Sequence, residues 1–280
     1  MTTQAPKGDL STYELDSFEH EGVGRQLYRK GSGPAVVVIA EMPGITPMVL
    51  GFADQVVAIG CSVVLPDFYG TAGRDPRAGS AAAGLGYIAK SLTSGCVSKD
   101  FSTFALGKTS PIATWLRALA RAEHERWGGP GVGAVGMCFS GGFALAMATD
   151  PSVVAPVMSQ PALPFAVSKK HRNSIDVSPE DLDVVAGRCA AEGLSVLGLR
   201  FKGDPSVPKE RFGFLTERLG DCFVAVELDQ ADGNPAALES AEIIKHHSVL
   251  TESLVDEPGQ PTRNAADRVL ELFGSRLLGG

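Results

Sequence analysis

Short apolar runs rich in β-branched residues alternate with amphipathic helical patterns along most of the chain. This alternation restricts the fold more than any other feature. Ala35-Val36-Val37-Val38-Ile39-Ala40 is a continuous apolar run, as expected of a parallel strand buried on both faces. Residues 47–59 read as a helix, and Ser62-Val63-Val64-Leu65 as a strand halted by Pro66. Ile112, Trp115, Leu116 and Leu119 share one helical face. Residues 131–136, 153–158, 194–201 and 222–228 read as further strands. Residues 139–148, 179–191 and 209–219 read as the helices between or after them, and Ala266, Val269, Leu270 and Phe273 mark a C-terminal amphipathic helix. The pattern predicts an α/β fold with a mostly parallel central sheet flanked by helices on both faces. A length of 280 residues is compatible with one domain spanning 1–280.

Two segments stand outside the alternation. Residues 68–110 are rich in Gly and Ala, and residues 161–178 carry the basic cluster Lys169, Lys170, His171 and Arg172. Both are expected to be loops or inserts over the C-terminal strand ends, where ligands bind in such sheets.

Charge and composition exclude several classes. A net charge of -7 argues against general nucleic-acid binding, which needs a basic face. The five cysteines are scattered and form no C-x-x-C pair, so neither a zinc site nor a redox dithiol is expected. A reducing setting follows, with plain packing expected for Cys61, Cys96, Cys189 and Cys222. The first ten residues lack a cationic start followed by an apolar run, and no apolar stretch reaches the roughly 20 residues that span a bilayer. A cytoplasmic protein with a small-molecule partner, and no nucleic-acid or membrane partner, is expected. Gly31-Ser32-Gly33 precedes a strand and reads as a turn rather than a phosphate loop, so no metal or cofactor is expected.

The chemistry centres on Gly136-Met137-Cys138-Phe139-Ser140. A strand leads into this segment and a helix leaves it, the setting of a nucleophile elbow. Such a turn is sharp, so the positions two before and two after the nucleophile must be small. Gly136 and Ser140 meet that need, although Gly is more usual at the second. The N–H groups that open the helix would face a reacting carbonyl. Cys138 is therefore the candidate nucleophile.

A thiol nucleophile needs a base, and the base needs an orienting acid. His20 precedes the first clear strand, His124 lies in a polar helix end, and His171 sits in the basic loop. His246 and His247 follow the last strand, where a base would meet the elbow from above, and the residues themselves leave the choice between them open. Asp204, in the loop after the strand at 194–201, is the best-placed acid; Asp229 and Asp232 are alternatives.

With these residues in view, the sequence resembles the dienelactone hydrolase (carboxymethylenebutenolidase) family of the α/β-hydrolase superfamily. Four segments carry the resemblance: Gly136 to Gly142, Gly203-Asp204-Pro205-Ser206-Val207-Pro208, His247-Ser248-Val249, and Ala40-Glu41-Met42-Pro43-Gly44-Ile45. The resemblance implies an α/β-hydrolase fold and a Cys138–Asp204–His247 triad that hydrolyses a small ester or lactone through a thioester. It implies that Glu41 takes the thiol proton, and that the backbone N–H groups of Met42 and Phe139 form the oxyanion hole. It further implies an arginine for a substrate carboxylate, for which Arg74 and Arg77 are candidates. The chain departs from the family pattern where Thr251 and Glu252 stand in place of a second arginine, and where Val249 replaces an aromatic. Competing expectations are an inactive α/β-hydrolase scaffold that only binds a small molecule, and a glutamine amidotransferase-like cysteine amidase. The second lacks its usual His-x-Glu, since Ser248 and Val249 follow His247.

Overall fold

Every strand of the chain's computed structural model, which describes residues 6–97, 100–238 and 245–279, belongs to one eight-stranded sheet. The elements run β1 (Glu14–His20), β2 (Val23–Lys30), β3 (Ala35–Ile39), α1 (Pro47–Ala58), β4 (Ser62–Pro66), α2 (Ala81–Val97) and α3 (Ile112–Trp127). They continue with β5 (Val132–Met137), α4 (Gly141–Met147), β6 (Val153–Ser159), α5 (Lys169–Arg172), α6 (Pro179–Glu192), β7 (Val196–Phe201), α7 (Lys209–Leu219), β8 (Phe223–Leu228) and α8 (Pro261–Leu277). The strand order is β1-β2-β4-β3-β5-β6-β7-β8. From β4 to β8 all pairings are parallel, whereas β1–β2 and β2–β4 are antiparallel. The fold is that of the α/β hydrolases.

The apolar runs are buried on both faces because helices cover both. Ala35, Val37 and Ile39 join a core with α3, α4, α6 and α7, while Val36 and Val38 join a second with α1 and α8. One five-residue strand thus feeds two cores, as the two-residue period of a strand requires.

Three features differ from the sequence expectation. The hairpin β1–β2 was not anticipated, because charged and polar residues interrupt its apolar ones and leave no apolar run. The segment 68–110 carries the 17-residue helix α2, whose Gly84, Gly86 and Gly95 dilute its helical pattern. Cys189 and Cys222 form a disulfide, which corrects the expectation of plain packing for both. Cys61 is buried as a free thiol, and the side chain of Cys96 lies outside the described residues. No helix among the described residues is long and apolar enough to cross a membrane.

Candidate active site

The sheet register brings the candidate residues to one edge. Ile39 pairs with Gly136, so Glu41 and Cys138 each stand two residues past a matched pair. Met137 pairs with Ser159, which sets Gln160 beside the same turn. Asp204 lies three residues past β7, and His247 follows β8. All five therefore gather at the C-terminal ends of the parallel strands, where an open α/β sheet leaves a crevice.

Cys138 has a left-handed backbone φ of 54°. A non-glycine residue in this region is strained and needs support. The support comes from its neighbours. A Cβ on Gly136 would stand 2.1 Å from the Ser140 carbonyl oxygen, so no larger residue fits there. Ser140 Oγ donates to the Ile39 carbonyl at 2.8 Å and accepts the Met137 N–H at 3.0 Å. A serine at this position thus braces the elbow onto β3, a role glycine lacks. The Cys138 carbonyl accepts the Ala162 N–H at 2.9 Å, which ties the loop after β6 to the turn.

His247 Nδ1 lies 2.5 Å from Asp204 Oδ2. Asp204 is buried, and its other oxygen accepts the Ser206 N–H at 2.8 Å. Burial acts to lower the His247 pKa. The charge of Cys138, hydrogen bonds with Asp204 and Cys138, and the charge of Asp204 outweigh it and hold His247 well above its ordinary range. Asp204 thus holds His247, and Cys138 lies close enough to act on the same imidazole. His246 is turned away: its Nδ1 meets Ser253 Oγ at 3.1 Å and its ring packs on Phe201, where burial lowers its pKa. The geometry separates two adjacent histidines that sequence could not.

Glu41 is buried, and three donors hold it. Oε2 accepts from Gln160 Nε2 at 3.0 Å and from Ser248 Oγ at 2.6 Å, and Oε1 accepts the Thr251 hydroxyl. The Phe139 N–H opens a 3-10 turn at Cys138–Ser140, too early to have an intrahelical acceptor. Met42 follows Glu41 on the same loop and packs, half-buried, against the core that contains Phe139.

The remaining candidates lie elsewhere or are already paired. Arg77 forms an ion pair with Glu252, and Arg74 stacks on Tyr87, 4.0 Å from the ring centre. Asp229 caps a turn with Asp232. His124 Nε2 meets the Gly129 carbonyl, His171 Nε2 meets the Phe104 carbonyl, and His20 sits in the β1–β2 hairpin. An open cleft of about 740 Å³ reaches Asp204, with Arg172, Lys202, Lys209 and Phe212 among its walls, but neither Cys138 nor His247 lines it.

Sequence reasoning missed Gln160, Ser248, Thr251 and the pair Asp176–Arg211. Ser248 and Thr251 had a signal, since both follow the histidine within four residues. Arg211 is fully buried and donates to the carbonyls of Pro161, Pro164, His171, Ser174 and Ser206, which moulds the segment 161–178 over the strand ends. Asp176, also fully buried, is pushed up to about 7 by burial, against the partial relief of Arg211 and Ser110.

Residues 25–178 match the model of the dienelactone hydrolase family. The chain belongs to that family. By this membership it is a hydrolase acting on ester bonds. The matched span holds Glu41 and Cys138 and ends before Asp204 and His247, which the tertiary structure brings in. Solved structures share the family fold. A putative dienelactone hydrolase from Klebsiella pneumoniae subsp. pneumoniae MGH 78578 aligns with a TM-score of 0.56 at 14% identity, over 94% of this chain and 98% of that one. A dienelactone hydrolase-like promiscuous phosphotriesterase from metagenomic libraries aligns at 0.55 and 17%, over 95% and 98%. A cold-adapted esterase from an Arctic intertidal metagenomic library aligns at 0.53 and 15%, over 95% and 93%. No curated protein matches the chain.

Proposed function

We propose that the protein hydrolyses a small, uncharged carboxylic ester or lactone by a Cys138–His247–Asp204 triad, and that residues 1–280 act as one domain. The observation that carries this is the Asp204–His247 hydrogen bond beside the strained elbow of Cys138, whose charge acts on the same imidazole. His247 receives the thiol proton. It is the imidazole on which Cys138 acts and is oriented by Asp204, whereas three donors already hold the Glu41 carboxylate. Glu41 is then a carboxyl held in place by its donors rather than the base.

The Cys138 thiolate attacks the carbonyl carbon, and the N–H groups of Met42 and Phe139 receive the developing oxyanion. Collapse breaks the ester C–O bond, His247 protonates the leaving oxygen, and a thioester remains. His247 then takes a proton from water, whose oxygen attacks the thioester. The acid departs, and Cys138 leaves as thiolate. Asp204 keeps the imidazole oriented and stabilises its charged form.

The preference for an uncharged substrate rests on Arg77. A substrate carboxylate would have to displace Glu252 from it, at a cost in pairing energy. Arg74 serves Tyr87 instead. A cytoplasmic place of action is read from the sequence alone, and the Cys189–Cys222 disulfide weighs against it, because such bonds persist mainly in oxidising compartments.

The test is a panel of neutral and carboxylate-bearing esters and lactones, with wild type, Cys138→Ala and His247→Ala. Both variants are expected to lose hydrolysis of the neutral compounds. Wild-type rates in Cys138→Ala would overturn the mechanism.

A further inference from the structure

Gln160 is fully buried, and its backbone φ is 37°. A side-chain-bearing residue is held in this region only where its surroundings over-determine it. Those surroundings are three elements of the site. The Gln160 N–H donates to the Leu199 carbonyl at 2.7 Å. Its side-chain Nε2 donates to Glu41 Oε2 at 3.0 Å. Its Oε1 accepts the Val249 N–H at 3.3 Å and the Ser159 hydroxyl. One amide therefore joins the carboxylate that follows β3 to the backbone two residues past His247. Ser248, next to His247, donates to the same Glu41 oxygen and closes a ring of hydrogen bonds.

We propose that Gln160 is a positioning residue for the hydrolytic reaction, holding Glu41 and the His247 segment in one fixed arrangement above Cys138. The proposal rests on the roles given to Cys138 and His247 above. A carboxamide suits the task because Glu41 requires a donor and Val249 an acceptor, and a neutral amide supplies both. The titratable groups around this ring are Tyr69 and Glu252, which face Glu41, and Cys138 and Asp204, which face His247.

The isosteric variant Gln160→Glu separates positioning from packing. It keeps the acceptor for Val249 but sets a second carboxyl against Glu41. At low pH the two carboxyls share a proton, and that proton restores the missing donor. As pH rises the proton leaves and the carboxylates repel. The ratio of variant to wild-type kcat/KM is expected to lie within about threefold of one at pH 5.5, and to fall at least about tenfold further by pH 8.5. Gln160→Met, with neither donor nor acceptor, is expected to lower kcat by about tenfold at every pH with a smaller change in KM. A residue that only fills space would leave kcat of Gln160→Met, which keeps the volume, at the wild-type value. A flat Gln160→Glu ratio overturns the proposal, as does wild-type kcat in Gln160→Met. Should Gln160→Met fail to fold, the isosteric variant decides alone, with its fold checked by thermal melting at pH 5.5. Cys138→Ala is assayed beside them. Activity in that variant sinks the nucleophile assignment, whereas an inactive Cys138→Ala with a flat Gln160→Glu ratio sinks only the role of Gln160.

Discussion

His247 Nδ1 stands 2.5 Å from Asp204 Oδ2, although the two residues are 43 apart in the chain. The bond fixes which imidazole nitrogen faces Cys138. Asp204→Asn removes the acceptor for the Nδ1 proton. We expect kcat for a neutral ester to fall roughly a thousandfold or more, with KM little changed. Steady-state kinetics on the purified variant checks this, and a loss confined to KM would contradict it.

Asp176 carries a pH signature. Burial raises its pKa from 3.8 to about 7, so the folded state binds a proton that the unfolded chain has released. Stability is therefore highest below the unfolded value, falls as pH rises from about 4 to about 7, and stays lower above. The full effect is about 4 kcal/mol at most. Asp176→Asn should flatten this slope. Denaturant melts at pH 4.5 and 8 measure it, and equal slopes in the two proteins would count against it.

The elbow predicts unequal losses at its two small positions. Gly136→Ala places a Cβ 2.1 Å from the Ser140 carbonyl oxygen, with backbone on both sides of the clash. It should cost more than about 3 kcal/mol or prevent folding. Ser140→Ala strands the Met137 N–H and should cost about 2 kcal/mol while leaving a folded protein. Urea melts rank the two.

Cys189 lies near the end of α6 and Cys222 just before β8, at the sheet edge opposite the C-terminal strand ends where Cys138 lies. Reduction opens a link across 33 residues and should cost about 3 kcal/mol. Turnover at 25 °C should be unchanged. Thiol titration of the unfolded chain, with and without reductant, should differ by two thiols.

Glu252→Gln weakens the partner that occupies Arg77. We expect kcat/KM for an ester bearing a carboxylate to rise several-fold, by about 1 kcal/mol of released pairing, and that for a neutral ester to stay level. A uniform change across both substrates would point to a structural effect.

Much of the fold was legible because a buried parallel strand must be apolar on both faces. The run at Ala35–Ile39 could be little else. The β1–β2 hairpin was illegible for the converse reason, since only Leu27 and Arg29 of its strand residues are buried and the rest need no apolar pattern. Cys138 was legible because a sharp turn demands small neighbours, and Gly136 has no room for a Cβ. Gln160 carried no such signal. A glutamine after a strand looks like any loop residue until its amide is seen between Glu41 and Val249.

By itself, the sequence determined the alternation of strands and helices, the elbow at Cys138, and a candidate acid at Asp204 followed by a histidine pair after the last strand, since each is a local pattern of size, polarity or turn chemistry. Only the tertiary structure decided that His247 rather than His246 meets Asp204, that Glu41 is tied to Gln160, Ser248 and Thr251, and that Arg77 is paired with Glu252. These are contacts between residues 43 to 210 positions apart, or between neighbours whose side chains point to opposite sides. Sheet register and loop packing set them, and neither is written in any short stretch of the chain.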